Sequence, residues 1–313
     1  MIHRLLPFAL FALLFSSCAK LPIDPSLNPL KVYKPGETVS FAVIGDYGKD
    51  TEGERKVAAM VDSWKPEFII TTGDNNYTFG AAGTIKQNIG NHYCNYIYNP
   101  DAPTTQQCTG QAATDKENRF FPSPGNHDHY SAPAMQPYLD YFTLPGDERN
   151  YDFVWGPVHL YSINSGASGK VNYPDSPEAK WFTQVVTNSN EPFKFAYFHH
   201  PPFSASNHGN NNKMQWPFSS MGINAVLCGH DHVYERINDK TDSSVVYMVV
   251  GNSGTDNFYG CNNHPLDAGR FDVTCRQNEY GAMRVRATKT KCIFEYFTVN
   301  DPTHPMDTYI IYK

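Results

Sequence analysis

The sequence predicts an α/β fold, and three observations favour that class. First, short apolar runs such as 41–44 and 68–72 are typical of buried strands. Second, helical segments with N-terminal capping signals alternate with these runs. Third, 40% of the 313 residues are hydrophobic and 14% are aromatic, enough to fill a core between two sheets. One sizeable domain of roughly 275 residues is therefore expected.

The first half of the chain begins with a strand, a helix and a second strand. Residues 41–44 form the predicted first strand. Thr51 and Glu54 then form a capping box, in which each side chain accepts from the other's backbone, and it begins a helix that runs to about Trp64. The second predicted strand follows at 68–72. This order is typical of α/β proteins.

The alternation continues through the middle and the end of the chain. The segment 79–118 is rich in Asn, Gln, Thr and Tyr and lies between two polar motifs, so we expect it to form part of the rim of a cleft. Ser176 is the predicted N-cap and Pro177 the first residue of a helix that runs to about Thr187. A strand follows at 193–198. The last apolar runs predict strands at 245–250, 283–285, 293–297 and 309–312.

Five short polar segments each follow an apolar, strand-like run. Each segment places an oxygen or imidazole donor where a strand ends and a loop begins. Because ligand sites in α/β sheets lie at the carboxyl ends of strands, we expect these donors to cluster. The segments are 45–46 (Gly-Asp), 73–77 (Gly-Asp-Asn-Asn-Tyr), 125–128 (Gly-Asn-His-Asp), 199–201 (His-His-Pro) and 229–232 (Gly-His-Asp-His).

The donor types in these segments suit two metal ions. A two-metal hydrolase needs a short anionic ligand between ions that lie roughly 3.5–4 Å apart, and Asp74 is the candidate. Asp46 and His232 would complete one ion. The other ion would be completed by Asn126, His199 and His230. Neutral imidazole and amide ligands limit the negative charge, which leaves each ion able to activate water. The glycines before the donors permit tight turns and close backbone approach.

Together these motifs resemble the calcineurin-like metallophosphoesterases, and within them the purple acid phosphatases. That family has an Asp after the first strand, then GDxxY, GNH[DE], a His two residues before a Pro, and GHxH, all present here. The Tyr of GDxxY separates the purple acid phosphatases from most relatives, and Tyr77 occupies that position. The resemblance covers about 38–236. It implies a four-layer αββα sandwich of two mixed β-sheets flanked by helices.

The resemblance also implies a dinuclear centre of Fe(III) and a divalent ion, which would be Fe, Zn or Mn. The Fe(III) site would be held by Asp46, Asp74, Tyr77 and His232. The divalent site would be held by Asp74, Asn126, His199 and His230. Two further histidines match family positions that contact the substrate phosphate or protonate its leaving group, namely His127 and His208.

The implied reaction is the hydrolysis of phosphate monoesters of small molecules, with a metal-bound hydroxide attacking phosphorus in line. His208 or His127 would assist the leaving alkoxide as general acid. Two other classes remain open. One is a phosphodiesterase or nucleotide pyrophosphatase, because the metal ligands are shared and the rim decides which leaving group fits. The other is a non-catalytic surface binding protein, which the complete set of seven donors disfavours.

Other polar residues beside the motifs have more than one interpretation. The family spacing selects His199 as a ligand and leaves His200 as a supporting or structural residue. His159, in a strand-like run, is interpreted as a packed or surface histidine. Orientation of ligands through hydrogen bonds and simple solvation in loops are both open for Asp128, His129 and Asp231.

The N-terminus predicts export. His3 and Arg4 precede an apolar run at 5–15, which is too short for a permanent membrane span yet suits the core of a secretory signal. The following Phe-Ser-Ser-Cys at 15–18 resembles a bacterial lipobox, in which Cys18 would be lipidated after cleavage. The alternative is an ordinary signal peptide cut nearby.

The predicted domain organisation follows from these signals. It comprises a signal peptide at 1–18, a proline-rich tether at 19–36 and a catalytic domain at 37–313. We expect a periplasmic or cell-surface protein that contacts the membrane only through Cys18. The formal net charge of −6 argues against general nucleic-acid binding, which requires basic patches.

Cysteine usage also fits export, because disulfides persist in oxidising compartments. Close spacing favours two disulfides, Cys94–Cys108 and Cys261–Cys275. Cys228 lies in an apolar run just before the Gly-His-Asp-His segment. It could pair with Cys292, or it could be a buried thiol.

Overall fold

The computed structural model describes residues 31–34, 37–131 and 133–313. In this part of the chain two mixed β-sheets pack face to face, and helices cover their outer faces. The predicted four-layer αββα sandwich is therefore confirmed. The predicted signal peptide at 1–18 lies outside the described residues. Of the predicted tether at 19–36 only residues 31–34 are described, and they form a strand.

The first sheet has eight strands among the described residues. In spatial order they are β1 (Lys31–Lys34), β5 (Tyr151–Trp155), β6 (Val158–Ser162), β7 (Phe193–Tyr197), β8 (Ala225–Cys228), β10 (Val246–Val250), β9 (Tyr234–Asp239) and β11 (Phe271–Arg276). The central strands β6, β7, β8 and β10 are mutually parallel, whereas β9 pairs antiparallel with both β10 and β11. The carboxyl ends of β7 and β8 consequently lie side by side.

The second sheet has six strands in the described ranges. In spatial order they are β14 (Asp307–Tyr312), β13 (Lys291–Thr298), β12 (Gly281–Thr288), β2 (Thr38–Ile44), β3 (Phe68–Thr71) and β4 (Phe120–Pro122). Strands β2, β3 and β4 are parallel, and the C-terminal strands are antiparallel. All the strands predicted from apolar runs are present. Strands β1, β5, β9 and β11 were not predicted, because charged and polar residues interrupt their apolar positions.

Seven α-helical segments occur in the described residues. They are α1 (Glu52–Ser63), α2 (Ala82–Ile85), α3 (Asn91–Tyr93), α4 (Gln111–Asp115), α5 (Asn126–His129), α6 (Gln136–Tyr141) and α7 (Pro177–Val186). A π-helical turn at Lys86–Gly90 joins α2 to α3, and a 3₁₀ turn spans Asn212–Met214. Within the described ranges, every helix is too short or too polar to cross a bilayer.

The capping signals of the two longest helices act largely as the sequence predicts. The Thr51 side chain accepts the Glu54 N–H at 3.0 Å, and the Ser176 side chain caps α7 in the same way. The return contact of the predicted capping box is different. The Glu54 carboxylate accepts the N–H groups of Lys49 and Asp50 at 3.0 and 2.7 Å instead of that of Thr51. Glu54 therefore also anchors the loop that follows β2.

Aromatic side chains of the two sheets meet directly in the core. The ring of Phe68 on β3 lies 5.6 Å from that of Phe153 on β5, and the ring of Phe195 on β7 lies 5.3 Å from that of Phe294 on β13. All four are buried. Burial of each such ring stabilises the fold by about 1.5–3 kcal/mol. These contacts fix one sheet against the other and so fix the relative positions of their strand ends.

The segment 79–118 does not form the rim of the cleft, contrary to the sequence prediction. No residue of this segment lines the cleft described below. Ile85, Ile89 and Tyr93 recur every four residues and are all buried in the main core, so the segment packs onto the body of the protein. The disulfide Cys94–Cys108, predicted from spacing, is confirmed and closes this segment.

The second predicted disulfide is also confirmed, and it joins Cys261 to Cys275. Cys228 and Cys292 do not pair: both are free and buried. They belong to different sheets, Cys228 to β8 and Cys292 to β13, and each fills an apolar cluster of its own. The buried-thiol interpretation of Cys228 is therefore correct, and the alternative disulfide is wrong.

A half-buried ion pair connects the two sheets near the end of the chain. Asp307, the first residue of β14, accepts Nε and Nη2 of Arg236 at 2.7 and 3.0 Å and the hydroxyl of Tyr234 at 2.7 Å. Both partners lie on β9 of the other sheet. Burial would raise the pKa of Asp307, but the bonds from Arg236 and Tyr234 outweigh it and lower that pKa below its ordinary value. Asp307 is thus ionised in the folded protein at neutral pH.

We expect Asp307→Asn to lower the free energy of unfolding by about 1–3 kcal/mol at pH 7, because charge-assisted hydrogen bonds are lost. A lowered folded pKa stabilises the protein above the unfolded value of about 3.9, and this stabilisation is lost as pH falls further. The stability difference between wild type and variant should therefore shrink below about pH 4. Urea unfolding at pH 7 and pH 3 measures it. A constant difference would contradict the role of the Asp307 charge, and the exposed Thr308→Ala is the control.

Candidate metal centre

All the predicted metal donors lie along one edge of the sandwich, at the carboxyl ends of parallel strands. The six-stranded sheet supplies four of them after β2, β3 and β4, namely Asp46, Asp74, Tyr77 and Asn126. The eight-stranded sheet supplies three histidines after β7 and β8, namely His199, His230 and His232. Anionic donors thus come mainly from one sheet and imidazoles from the other.

Asp74 lies at the centre of the cluster. Its Oδ2 atom is 3.2 Å from the Tyr77 hydroxyl and 3.2 Å from His199 Nε2, so one oxygen touches two sets of donors. Asp74 is only 2% exposed. Donor atoms of Asp46, Asp74 and His199 all lie within 4.8 Å of one another, close enough to share bound metal. A single carboxylate oxygen therefore stands where a bridging ligand would be needed.

The first set of donors surrounds Tyr77. The Tyr77 hydroxyl is 3.2 Å from Asp46 Oδ1 and 3.3 Å from His232 Nε2. His232 Nε2 is in turn 3.4 Å from Asp46 Oδ1. Together with Asp74 these residues match the predicted Fe(III) ligand set.

The second set surrounds His199. His199 Nε2 is 2.9 Å from Asn126 Oδ1 and 3.2 Å from His230 Nδ1. Together with Asp74 these residues match the predicted divalent set. The structure thus brings all seven predicted donors together, in the two groups that the sequence analysis distinguishes.

The hydrogen bonds of the histidines show that the donor set fits metal ions. His199 Nδ1 is 3.0 Å from the Thr72 carbonyl oxygen, and His232 Nδ1 contacts the Asn257 carbonyl oxygen. Because a carbonyl only accepts, each Nδ1 carries the proton and each Nε2 of a neutral ring presents a lone pair. These lone pairs face the oxygens of Asp74 and Asp46. Cations placed between the imidazole nitrogens and the carboxylate oxygens would be ligated by both.

Two histidines lie beside the donors in a cleft of about 660 Å³. The backbone N–H of His127 donates to Asp74 Oδ1 at 2.8 Å, its Nδ1 contacts the Thr78 carbonyl, and its Nε2 lies 3.8 Å from Asp74 Oδ2. The ring of His208 stacks on that of His230 with centroids 4.0 Å apart. The two histidines therefore lie beside different donors, His127 beside Asp74 and His208 beside His230.

Residues 39–234 match the family model described as calcineurin-like phosphoesterase. That match covers more than half of the chain. The chain belongs to the calcineurin-like phosphoesterase family. It is accordingly a metallophosphoesterase, an enzyme that hydrolyses phosphoric esters.

Two kinds of comparison give further similarities to this phosphoesterase. Tartrate-resistant acid phosphatase type 5 of Mus musculus is 21% identical over 257 residues, which cover 70% of this chain and 74% of the mouse protein. The structure of purple acid phosphatase PPD1 from yellow lupin (Lupinus luteus) seeds superimposes with a TM-score of 0.67 at 13% identity. The match covers 88% of this chain but only 54% of the lupin chain. This chain thus spans about half the length of the lupin protein.

A second solved structure shows the same fold. GAP50, described as the anchor in the inner membrane complex of Plasmodium, superimposes with a TM-score of 0.57 at 14% identity. The match covers 88% of this chain and 89% of GAP50. At such low identities these likenesses show the fold alone. The chemistry must be argued from the donors.

Electrostatics in the phosphoesterase site reflect the close packing of the donors. Burial disfavours the charged form of His199, but Asp74 and Asp46 outweigh it and raise its pKa to about 9. Burial would likewise raise the pKa of Asp74, but His199 and His127 hold that pKa below its ordinary value. Burial, Asp74 and Asp46 together raise the pKa of Tyr77 well above 10. Bound protons thus offset the negative charge of the two carboxylates when no metal is bound, and metal binding would displace these protons.

Backbone conformation at the donors is unusual. Asp46, Asp74 and His230 have positive φ angles of 52°, 51° and 71°. Such left-handed residues cost roughly 1–3 kcal/mol and concentrate at functional sites. The glycines before the donors allow the close approach that the sequence predicts. A Cβ atom at Gly229 would lie 2.4 Å from Asp46 Oδ2, and one at Gly125 would lie 2.2 Å from the backbone nitrogen of Asp74.

The residues with open interpretations are mostly supports for this site. Asp128 is buried and accepts the N–H groups of Gly125 and Asn75 at 2.8 and 3.2 Å, which joins the loops that carry Asn126 and Asp74. His200 is buried against Ser165 and lines the cleft. His129 contacts Asn164, and His159 is packed against Asp152. Asp231 is fully buried, so the solvated interpretation of Asp128 and Asp231 is wrong.

Two cleft residues that contact the predicted ligand His232 escape the sequence analysis. The ring of Tyr259 stacks on His232 with centroids 4.3 Å apart, and the carbonyl of Asn257 orients the same histidine. Both residues come from the polar segment between β10 and β11, which lies beyond the resembling region. The nearest signal is the predicted disulfide Cys261–Cys275, which begins two residues after Tyr259 and leaves both residues outside the closed loop. A disulfide predicts an ordered loop, but it does not indicate against which part of the protein that loop packs.

We expect Asp74→Asn to lower bound metal and to reduce turnover by about 100-fold or more, because both donor sets lose a shared negative charge. The fold should survive, since the change is local. Metal analysis of purified protein, steady-state rates and thermal unfolding measure the three effects. The exposed Asp101→Asn is the matched control. Retention of two metals per chain at a near wild-type rate would contradict the shared-ligand role.

Proposed function

We propose that this phosphoesterase hydrolyses phosphate monoesters at a dinuclear centre of Fe(III) and a divalent ion, Fe, Zn or Mn. The observation that carries the proposal is the position of Asp74 Oδ2, which lies 3.2 Å from a donor of each ligand set. The similarity to tartrate-resistant acid phosphatase supports the monoester class. The experiment is a panel of phosphate esters assayed with protein of known metal content.

When bound, the two ions would acidify water and neutralise charge on the phosphoryl oxygens. The chain's own residues orient the substrate and move protons. His127 and His208 flank the donors within the cleft, one beside Asp74 and one stacked on His230. Each histidine places its imidazole where it can contact a phosphoryl oxygen or donate a proton to the leaving oxygen. Such proton donation typically contributes about 10²–10⁴ in rate.

A phosphodiesterase or nucleotide pyrophosphatase would use the same donors, so the choice of ester depends on the rim. Rates for a monoester and a diester, measured on one preparation, decide between them. The sequence also left open a surface binding protein without catalysis, and GAP50, which shares the fold, is described as an anchor. Convergence of seven donors around Asp74 favours the enzyme, because a binding surface needs no such arrangement.

We also propose that the protein is exported to the periplasm or cell surface, with membrane contact only through a lipid on Cys18. Two disulfides, Cys94–Cys108 and Cys261–Cys275, support an oxidising compartment. Its partner would be a small phosphate ester and not a nucleic acid, in keeping with a net charge of −6. Cell fractionation of wild type and Cys18→Ser tests the anchor.

We expect His208→Ala to leave the metal content unchanged and to slow the hydrolysis of alkyl phosphates by about 10²-fold or more. p-Nitrophenyl phosphate should be affected much less, because its leaving group needs no proton. Parallel measurement of kcat for both esters tests this, with the exposed His304→Ala as control. Equal losses for both esters would mean that His208 only binds phosphate.

A prediction about colour concerns Tyr77. A phenolate bound to Fe(III) absorbs visible light, whereas Zn, Mn(II) or Mg centres of the same donors are colourless. We expect the purified protein to be purple to pink and Tyr77→Phe to lose the colour. Absorption spectra with iron analysis measure this, and the exposed Tyr312→Phe on β14 is the matched control. A colourless, iron-free and fully active wild type would reject iron and leave an all-divalent centre.

A further inference from the structure

The loop at residues 203–208, called here the acid loop, carries His208 at its end. The loop has no regular secondary structure, yet most of it is buried. Buried N–H groups need acceptors. The N–H of His208 donates to Asp231 Oδ1 at 2.8 Å. Asp231 is fully buried and lies between the two donors His230 and His232. The backbone at His208 is therefore attached directly to the turn that carries two predicted metal ligands.

The second oxygen of the same carboxylate holds the start of the acid loop. The Ser204 hydroxyl donates to Asp231 Oδ2 at 2.6 Å and accepts the N–H of Ser206 at 3.1 Å. Asp231 thus accepts hydrogen bonds from the loop at two residues, Ser204 and His208, which are four positions apart in sequence. A second carboxylate acts between them, where Glu235 accepts the N–H of Ala205 at 3.1 Å.

The ring of His208 is located by its backbone and by stacking. It lies 4.0 Å from the His230 ring, at an interplanar angle of 21°, and 5.3 Å from the Tyr259 ring. Among the described residues the His208 ring has no hydrogen-bond partner. A shift of its backbone would therefore move the ring along the face of His230 with little resistance.

We propose that Asp231 is a positioning residue for His208, holding the imidazole at its working distance from the metal centre. This inference rests on the proposed function, in which His208 serves the leaving group. Asp231 is not one of the predicted metal donors, and it does not line the cleft. Removal of the Asp231 carboxylate should therefore slow only the hydrolysis of esters whose leaving group needs a proton from His208. A general loss of structure would slow the hydrolysis of all esters alike.

The decisive comparison uses Asp231→Ala and Asp231→Asn, each with its metal content measured. Asp231→Ala removes the acceptor of the His208 N–H. We expect it to reduce kcat for an alkyl phosphate such as glycerol phosphate by about tenfold or more, and kcat for p-nitrophenyl phosphate by less than about threefold. Asp231→Asn keeps a carbonyl oxygen for that N–H. It should restore most of the alkyl phosphate rate, although it lacks the charge.

A double-mutant cycle with His208→Ala separates positioning from other effects. If Asp231 acts through His208, Asp231→Ala should cause less than about a twofold further loss of alkyl phosphate turnover in the His208→Ala background. Ser204→Ala leaves the His208 N–H acceptor in place and removes the bond to Asp231 Oδ2 together with the acceptor of the Ser206 N–H. We expect Ser204→Ala to reduce kcat for the alkyl phosphate by about two- to fivefold and to affect p-nitrophenyl phosphate less. This variant serves as the test if Asp231→Ala loses metal or fails to fold.

Equal losses for both esters, multiplicative losses in the cycle, or a Ser204→Ala variant without leaving-group dependence would overturn the proposal. So would an Asp231→Asn variant as slow as Asp231→Ala on glycerol phosphate at full metal content. A wild-type protein that holds two metals and hydrolyses neither ester would reject the proposed function itself, and with it this inference.

Discussion

The site depends on one buried oxygen atom. Asp74 Oδ2 contacts the hydroxyl of Tyr77 on one side and the imidazole of His199 on the other. A carboxylate that is 2% exposed has lost most of its hydration, so it must be compensated by nearby positive charge. In this chain the compensation comes from imidazolium when protons are bound and would come from metal ions when they are present. Every other donor is arranged around that requirement.

The same requirement explains why two sheets are needed. Carboxylate and amide donors follow strands of the six-stranded sheet, and imidazole donors follow strands of the eight-stranded sheet. The distance between them is set by core packing, in which rings such as Phe68 and Phe153 meet across the sheets. The ion pair of Asp307 with Arg236 joins the sheets at a second place. Changes far from the cleft can therefore alter the fit of the donors.

The fold by itself does not determine the chemistry. The same sandwich occurs in a plant purple acid phosphatase and in a protein described as an anchor. What distinguishes an enzyme is the set of side chains at the strand ends and the buried groups behind them, such as Asp128 and Asp231, which hold the donor loops in place. These supports carry costs in burial and backbone strain, which a protein without the chemistry has no reason to keep.

The sequence by itself determined most of the strands, the two capped helices, both disulfides and the membership of the donor set. Those features are local or depend on residue type at fixed spacing. Tertiary structure decided the rest. The largely polar segment 79–118 packs onto the core through Ile85, Ile89 and Tyr93. Burial of these apolar side chains outweighs the polar average composition of the segment. Cys228 and Cys292 stayed apart because they lie in different layers, and Tyr259 reached the cleft from about 27 residues beyond His232 through packing that no local pattern encodes.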